Sequence, residues 1–133
     1  MSKVRFPYMR SAVIDAVATL ADPQYQRRVW IDRILPDPAL VDDLDANIHV
    51  LYDDCRVLPD PDDMIGDVLI AGDEITRLRA LGAVLDPLIE RLGDSADAHY
   101  LADAHWPAVV AAARDALPAL ILAGGWTAEA QDS

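Results

Sequence analysis

A single cysteine, Cys55, stands in 133 residues, so no disulfide can form within the chain. A lone thiol fits a reducing cytoplasm. The opening Met1-Ser-Lys-Val-Arg-Phe-Pro7 lacks the apolar run of a secretory signal. The longest apolar run, near 117–123, falls far short of the ~20 residues that span a bilayer. Cytoplasmic placement is the expectation. Aromatics are scarce: one Phe, three Trp and four Tyr make eight. The core must therefore come from Leu, Val, Ile and Ala, and alanine richness suits helices. The glycines, Gly66, Gly72, Gly82, Gly93, Gly124 and Gly125, fit neither the Walker nor the dinucleotide pattern. No Ser or Cys stands in a nucleophile elbow. Basic residues are also few. Arg27-Arg28 beside Trp30 is too small a patch for nucleic acid in a chain of net charge −12. The same charge is repelled by anionic membranes. Nucleic acid and membrane are excluded as partners, and no cofactor is expected.

Apolar residues make up 53% of the chain and charged residues 26%, which excludes a disordered chain. The length fits one domain, burying roughly two-thirds of the surface its unfolded form exposes. Met9, Val13, Val17 and Leu20 recur at helical spacing, predicting a helix over 8–21 with Arg10, Asp15 and Thr19 on its other side. Asp22-Pro23 reads as N-cap and first residue of a second helix, 23–33. Tyr25, Val29 and Trp30 are its apolar members and Gln26 a polar one. Leu40, Leu44, Ile48 and Leu51 predict a third helix over 39–55, with a strand at 48–52 as the alternative. The segment 64–70 reads either as a short helix or as extended chain. Asp73 looks like the N-cap of the clearest helix, 74–92. Leu78, Leu81, Leu85, Leu88 and Leu92 line its buried stripe, Pro87 should bend it and Gly93 ends it. A short helix through Leu101 and a last long one capped by Asp103 complete the series. Pro118 ends or kinks the last helix, and Gly124-Gly125 stops it. The expectation is an all-α, single-domain bundle of five or six helices with proline-kinked segments over 1–133. Residues 1–7 and 124–133 are expected to be loose. The apolar face at 109–121 looks too large for one small domain to cover, which predicts a homodimer.

Charge is strongly segregated. Between Asp37 and Glu74 stand twelve acids and one base, Arg56, for a net of −11. A dense acidic stretch points to a basic partner, a cation or plain solubility. An EF-hand register fails, because starting at Asp60 puts Met64 and Ile65 where a ligand and a glycine are needed. A solvated loop over 60–67 is the plainer reading, a loose divalent-cation site the rival. Asp45, His49 and Asp53 stand at i, i+4 and i+8 on one helix face, an arrangement open to a metal or to a general base. Asp97, His99, Asp103 and His105 form a second metal-capable cluster. It lies where a helix cap is expected and has no Cys ligand. Solvated polar faces explain both clusters more simply, and no metal is expected. Asp53-Asp54 raise the pKa of Cys55 and weaken it as a nucleophile.

The runs Tyr25-Gln-Arg-Arg-Val-Trp30, Leu51-Tyr-Asp-Asp-Cys55 with Leu58-Pro-Asp-Pro61, and Tyr100-Leu-Ala-Asp103 followed by Trp106-Pro-Ala-Val-Val110 resemble a family of small acidic actinobacterial proteins with no known function. The resemblance covers about 11–117 and brings no catalytic residue with it. Spacing and acidity are also similar to those of small acidic immunity proteins that neutralise nuclease toxins, a likeness of shape and charge alone. The expected function is a non-enzymatic protein-binding module, of the inhibitor or immunity kind. It would meet a basic protein on an acidic face made by Asp42, Asp45, Asp53, Asp54, Asp60, Asp62 and Asp63. The alternative is a carboxylate–His hydrolase, with or without a divalent metal.

Overall fold

A computed structural model describes residues 4–34 and 42–123. Among these residues the chain forms six α-helices and no strand. Helix α1 is Pro7–Leu20. Helix α2 starts as Pro23–Tyr25 and continues as a wider π-helical stretch, Gln26–Ile31. Helix α3, Leu44–His49, continues in the same way through Val50–Asp54. The segment read as a possible strand at 48–52 is therefore helical. The predicted start at 39 is corrected to Leu44, because Asp43 accepts the Ala46 amide and fixes the cap there. The other part of that reading, 39–41, lies outside the described residues.

Both π stretches end alike. Arg33 and Arg56 adopt left-handed backbone with φ of 58° and 54°. The amide of the following residue then reaches back six positions, from Ile34 to Arg28 and from Val57 to Leu51. That is the role usually given to glycine, which has no Cβ to crowd the turn.

The segment 64–70 is neither helix nor strand. A 3-10 turn, Pro61–Met64, leads into a loop in which Ile65 makes one isolated bridge to Leu69. The amides of Arg5 and Phe6 donate to the carbonyls of Gly66 and Asp67 at 2.9 and 2.8 Å. Residues 4–6, expected to be loose, are thus tied to this loop, and Val4 is buried.

Helix α4, Asp73–Leu92, runs through Pro87 without ending. Its N-cap position is Gly72 rather than Asp73, with φ of 133°. Leu78, Leu81, Leu85 and Leu88 are buried, as their spacing predicts, and Leu92 at the end of the stripe is half-buried. Short helix α5, Asp97–Ala102, leads to α6, Trp106–Leu122, which passes through Pro118. Asp103 does not cap α6 at its N-cap position, which is His105; it accepts the His105 amide just before the helix. The Gly124-Gly125 stop and the tail lie outside the described residues.

Helix α6 lies against both α4 and α1. Val109, Val110, Ala113, Ala116 and Leu120 are buried in that position. This corrects the expectation of an uncovered face at 109–121: one chain covers it, leaving Ile121 and Leu122 exposed at its end.

Three polar groups lie deep in this core. Arg10, placed on the outer side of α1 by its charge, is wholly buried. Its guanidinium meets both oxygens of buried Glu74, Nη1 to Oε2 at 2.8 Å and Nη2 to Oε1 at 2.6 Å. It also donates to the carbonyls of Val68 and Leu120 at 3.1 and 2.9 Å. Glu74 in turn accepts the Ile70 amide. Gln26 donates to the carbonyls of Thr19 and Leu20, and its oxygen accepts from Trp106 Nε1 at 3.0 Å. Helix ends expose carbonyls without intrahelical donors, and these side chains supply the donors. Among the described residues no buried side-chain nitrogen or oxygen lacks a partner.

Truncating Leu85 to Ala removes a fully buried side chain from the centre of α4 and should cost about 2–5 kcal/mol in urea unfolding. A cost below about 1 kcal/mol would contradict the packing described.

Candidate functional site: a reduced acidic surface

Asp37 lies outside the described residues, and the other eleven acids of the stretch 37–74 do not act as one surface. Glu74 belongs to the buried pair with Arg10. Asp42 is partly buried and engaged internally: one oxygen accepts from Tyr25 Oη and Trp30 Nε1, both at 2.9 Å, and the other from Asn47 Nδ2 at 3.0 Å. Burial, and then the bond to Asp42, push the Tyr25 phenol up to about 12. Asp43 caps α3. Asp67 faces Arg5 at 3.7 Å and Asp73 faces Arg77 at 3.4 Å. Asp42 is therefore a joint of the fold, holding the end of α2 to the start of α3.

What remains outside is a shorter set. Asp45, Asp53 and Asp54 are exposed along α3 and its extension, and Asp60, Asp62 and Asp63 are exposed around the Pro61–Met64 turn. Buried Val57, Leu58 and Pro61 hold the connecting segment in place. Leu58 packs close enough to α4 that a Cβ on Gly82 would lie 3.3 Å from its Cδ2. Asp62 pairs with Arg79 of α4. Asp54, Asp60 and Asp63 have no side-chain partner among the described residues.

His49 stands between two of these acids. Its Nδ1 lies 2.5 Å from Asp53 Oδ2 and its Nε2 3.4 Å from Asp45 Oδ2. Spacing along the helix predicts this alignment, and the structure brings the three together. The hydrogen bond that the imidazole donates to Asp53, then the charge of Asp45, hold it above its ordinary pKa. A protonated His49 offsets part of the local negative charge.

The second cluster divides. Asp97 turns to the start of α3, accepting the Leu44 amide at 3.2 Å, and burial raises its pKa. His99 is exposed on α5 and joins neither neighbour. Asp103 and His105 do meet, and Arg91 of α4 joins them. Arg91 grips both oxygens of Asp103 at 2.6 and 3.2 Å, and His105 Nδ1 lies 3.1 Å from Asp103 Oδ1. The guanidinium, and then the His105 amide, hold the Asp103 carboxyl well below the usual carboxylate range. Sequence spacing did not suggest Arg91, which lies twelve residues from Asp103. Among the described residues no three His, Cys, Asp or Glu side chains are placed to hold a metal ion.

Other reactive groups are enclosed. Cys55 is buried, and its thiol points to the Met9 carbonyl at 3.6 Å. Burial and then Asp54 raise its pKa. Tyr52 donates to Asp86 of α4, and burial and that bond push its phenol above its ordinary range. Among the described residues no helix is long and apolar enough to cross a membrane.

His49 provides a pH test. Its folded pKa lies above its unfolded value, so its contribution to stability is full below about pH 6.5 and is lost as pH rises through the folded pKa. Imidazole NMR should show His49 titrating above the ordinary histidine value, and Asp53→Asn should bring it back down. A His49 titration unmoved by Asp53→Asn would contradict the pairing.

No curated protein and no solved structure matches the chain. A family model does match, over residues 4–127. The chain belongs to the family described as Domain of unknown function (DUF7945).

Proposed function

We propose that this chain is a non-enzymatic protein-binding module that meets a basic partner on the surface carrying Asp45, Asp53, Asp54, Asp60, Asp62 and Asp63. The observation that supports this reading is the state of Asp54, Asp60 and Asp63. Among the described residues these carboxylates are exposed and without side-chain partners, on a segment held by buried Val57, Leu58 and Pro61. Like charges held close repel one another, and cationic groups docking among them relieve that repulsion. A surface held in place loses little freedom on binding. Inhibitors and immunity-type proteins work by occupying a basic partner in this way, and Asp42 does not belong to the docking set. The carboxylate–histidine hydrolase reading finds its best support in Asp103 and His105. Both histidines that meet carboxylates are exposed, which suits binding better than a water-excluding reaction.

The test uses the triple variant Asp54→Asn, Asp60→Asn, Asp63→Asn. A partner captured from source cells by the native chain should associate at least about ten-fold more slowly with the variant. Its association should also slow between about 50 and about 300 mM salt. Dissociation should change less. A partner indifferent to both the variant and salt would overturn the reading.

A further inference from the structure

Helices α4 and α6 do not close fully along their length. A cleft of about 240 Å³, open to solvent on one side, is lined by Ala83, Val84, Pro87, Leu88, Arg91, His105 and Ala108. Two features give it chemistry. Pro87 lies inside α4 and has no N–H, so the Ala83 carbonyl, four residues back, is deprived of its helical donor. Both residues line the cleft. At the rim, Asp103 holds His105 by its amide at 2.8 Å and faces its Nδ1 at 3.1 Å. Nδ1 also lies 3.5 Å from Arg91 Nη2; with Nδ1–H donating to the nearer Asp103, Nε2 is the acceptor of the ring. The cleft therefore combines apolar walls with two lining residues, Ala83 and His105, that each carry a hydrogen-bond acceptor.

Charge narrows the ligand further. Arg91 is neutralised by the two-pronged contact with Asp103, so it offers little to an anion, and the chain as a whole is at −12. Size narrows it again, since a cavity of roughly 150 Å³ accommodates benzene. We propose that this cleft binds a small uncharged ring compound bearing a hydroxyl. The hydroxyl would donate to His105 or to the Ala83 carbonyl, and the ring would lie on Val84, Pro87, Leu88 and Ala108. This proposal is independent of the acidic surface, and either can fail without the other.

Phenol is the probe, with toluene and benzoate as its controls, titrated into the whole chain and followed by NMR. Phenol should give saturable shifts at Ala83, Ala108 and the His105 ring. Toluene, lacking the donor, should bind about five-fold more weakly, and benzoate more weakly still. His105→Ala should narrow the difference between phenol and toluene. Ala108→Leu should fill the cleft and abolish binding of both. Ala108 is exposed and leucine is a good helix former, so this variant should keep the native spectrum elsewhere. Three results would each overturn the proposal: no saturable shift with phenol, toluene or benzoate binding as well as phenol, or phenol shifts that persist in Ala108→Leu.

Discussion

One buried ion pair, Arg10 with Glu74, joins α1, α4 and α6, three of the six helices among the described residues. The guanidinium reaches from α1 to the start of α4, to the loop at Val68 and to the last turn of α6. Removing two charges from water costs several kcal/mol each, roughly, and the loss is offset only where geometry and added hydrogen bonds are good. Here they are: the contact is two-pronged, two carbonyls take further protons of Arg10, and the Ile70 amide serves Glu74. The carbonyl of Leu120 lies in the last turn of α6, so the same group that neutralises Glu74 also serves a carbonyl at that helix end. Gln26 does similar work at the end of α1, and Tyr100 donates to the Gly93 carbonyl just past α4. The polar groups of this core are largely devices for finishing helices.

That arrangement explains how a strongly acidic stretch can sit on a small domain. Its charges are distributed by role. Glu74 is inside, Asp42 and Asp43 fix the start of α3, and several others face an arginine or His49. Among the described residues the remainder, Asp54, Asp60 and Asp63, stand on the stretch that runs from the end of α3's extension through the 3-10 turn. Position in the fold, rather than the count of acids, separates carboxylates free to meet a partner from those already engaged.

Much of the architecture was legible in the sequence. The Leu78–Leu88 stripe, the Asp22-Pro23 start and the Gly93 stop depend on local rules, and each holds in the structure. The misplacements concern polar residues. Arg10 was assigned to solvent by its charge, although Val13, Ile14 and Val17 follow it at three, four and seven and place it on the apolar face. Gln26 offered no such signal, because its partners are the end of α1 and a tryptophan eighty residues away. Asp42 read as surface for the same reason: Tyr25, Trp30 and Asn47 converge on it only once α2 and α3 are packed. The helix register placed Asp45, His49 and Asp53 together, whereas the joining of Arg91 to Asp103 needed the chain to fold back. The weight of function fell on the acidic run, yet its usable part is defined by tertiary contacts that periodicity does not carry.

A double-mutant cycle on Arg10→Met and Glu74→Leu, read by urea unfolding, tests the central role of the buried pair most directly. Each single change strands a buried charge and should cost about 3–5 kcal/mol. The double variant should cost well under the sum, with a coupling of at least about 2 kcal/mol. Single costs below about 1 kcal/mol, or additivity within about 0.5 kcal/mol, would contradict the account.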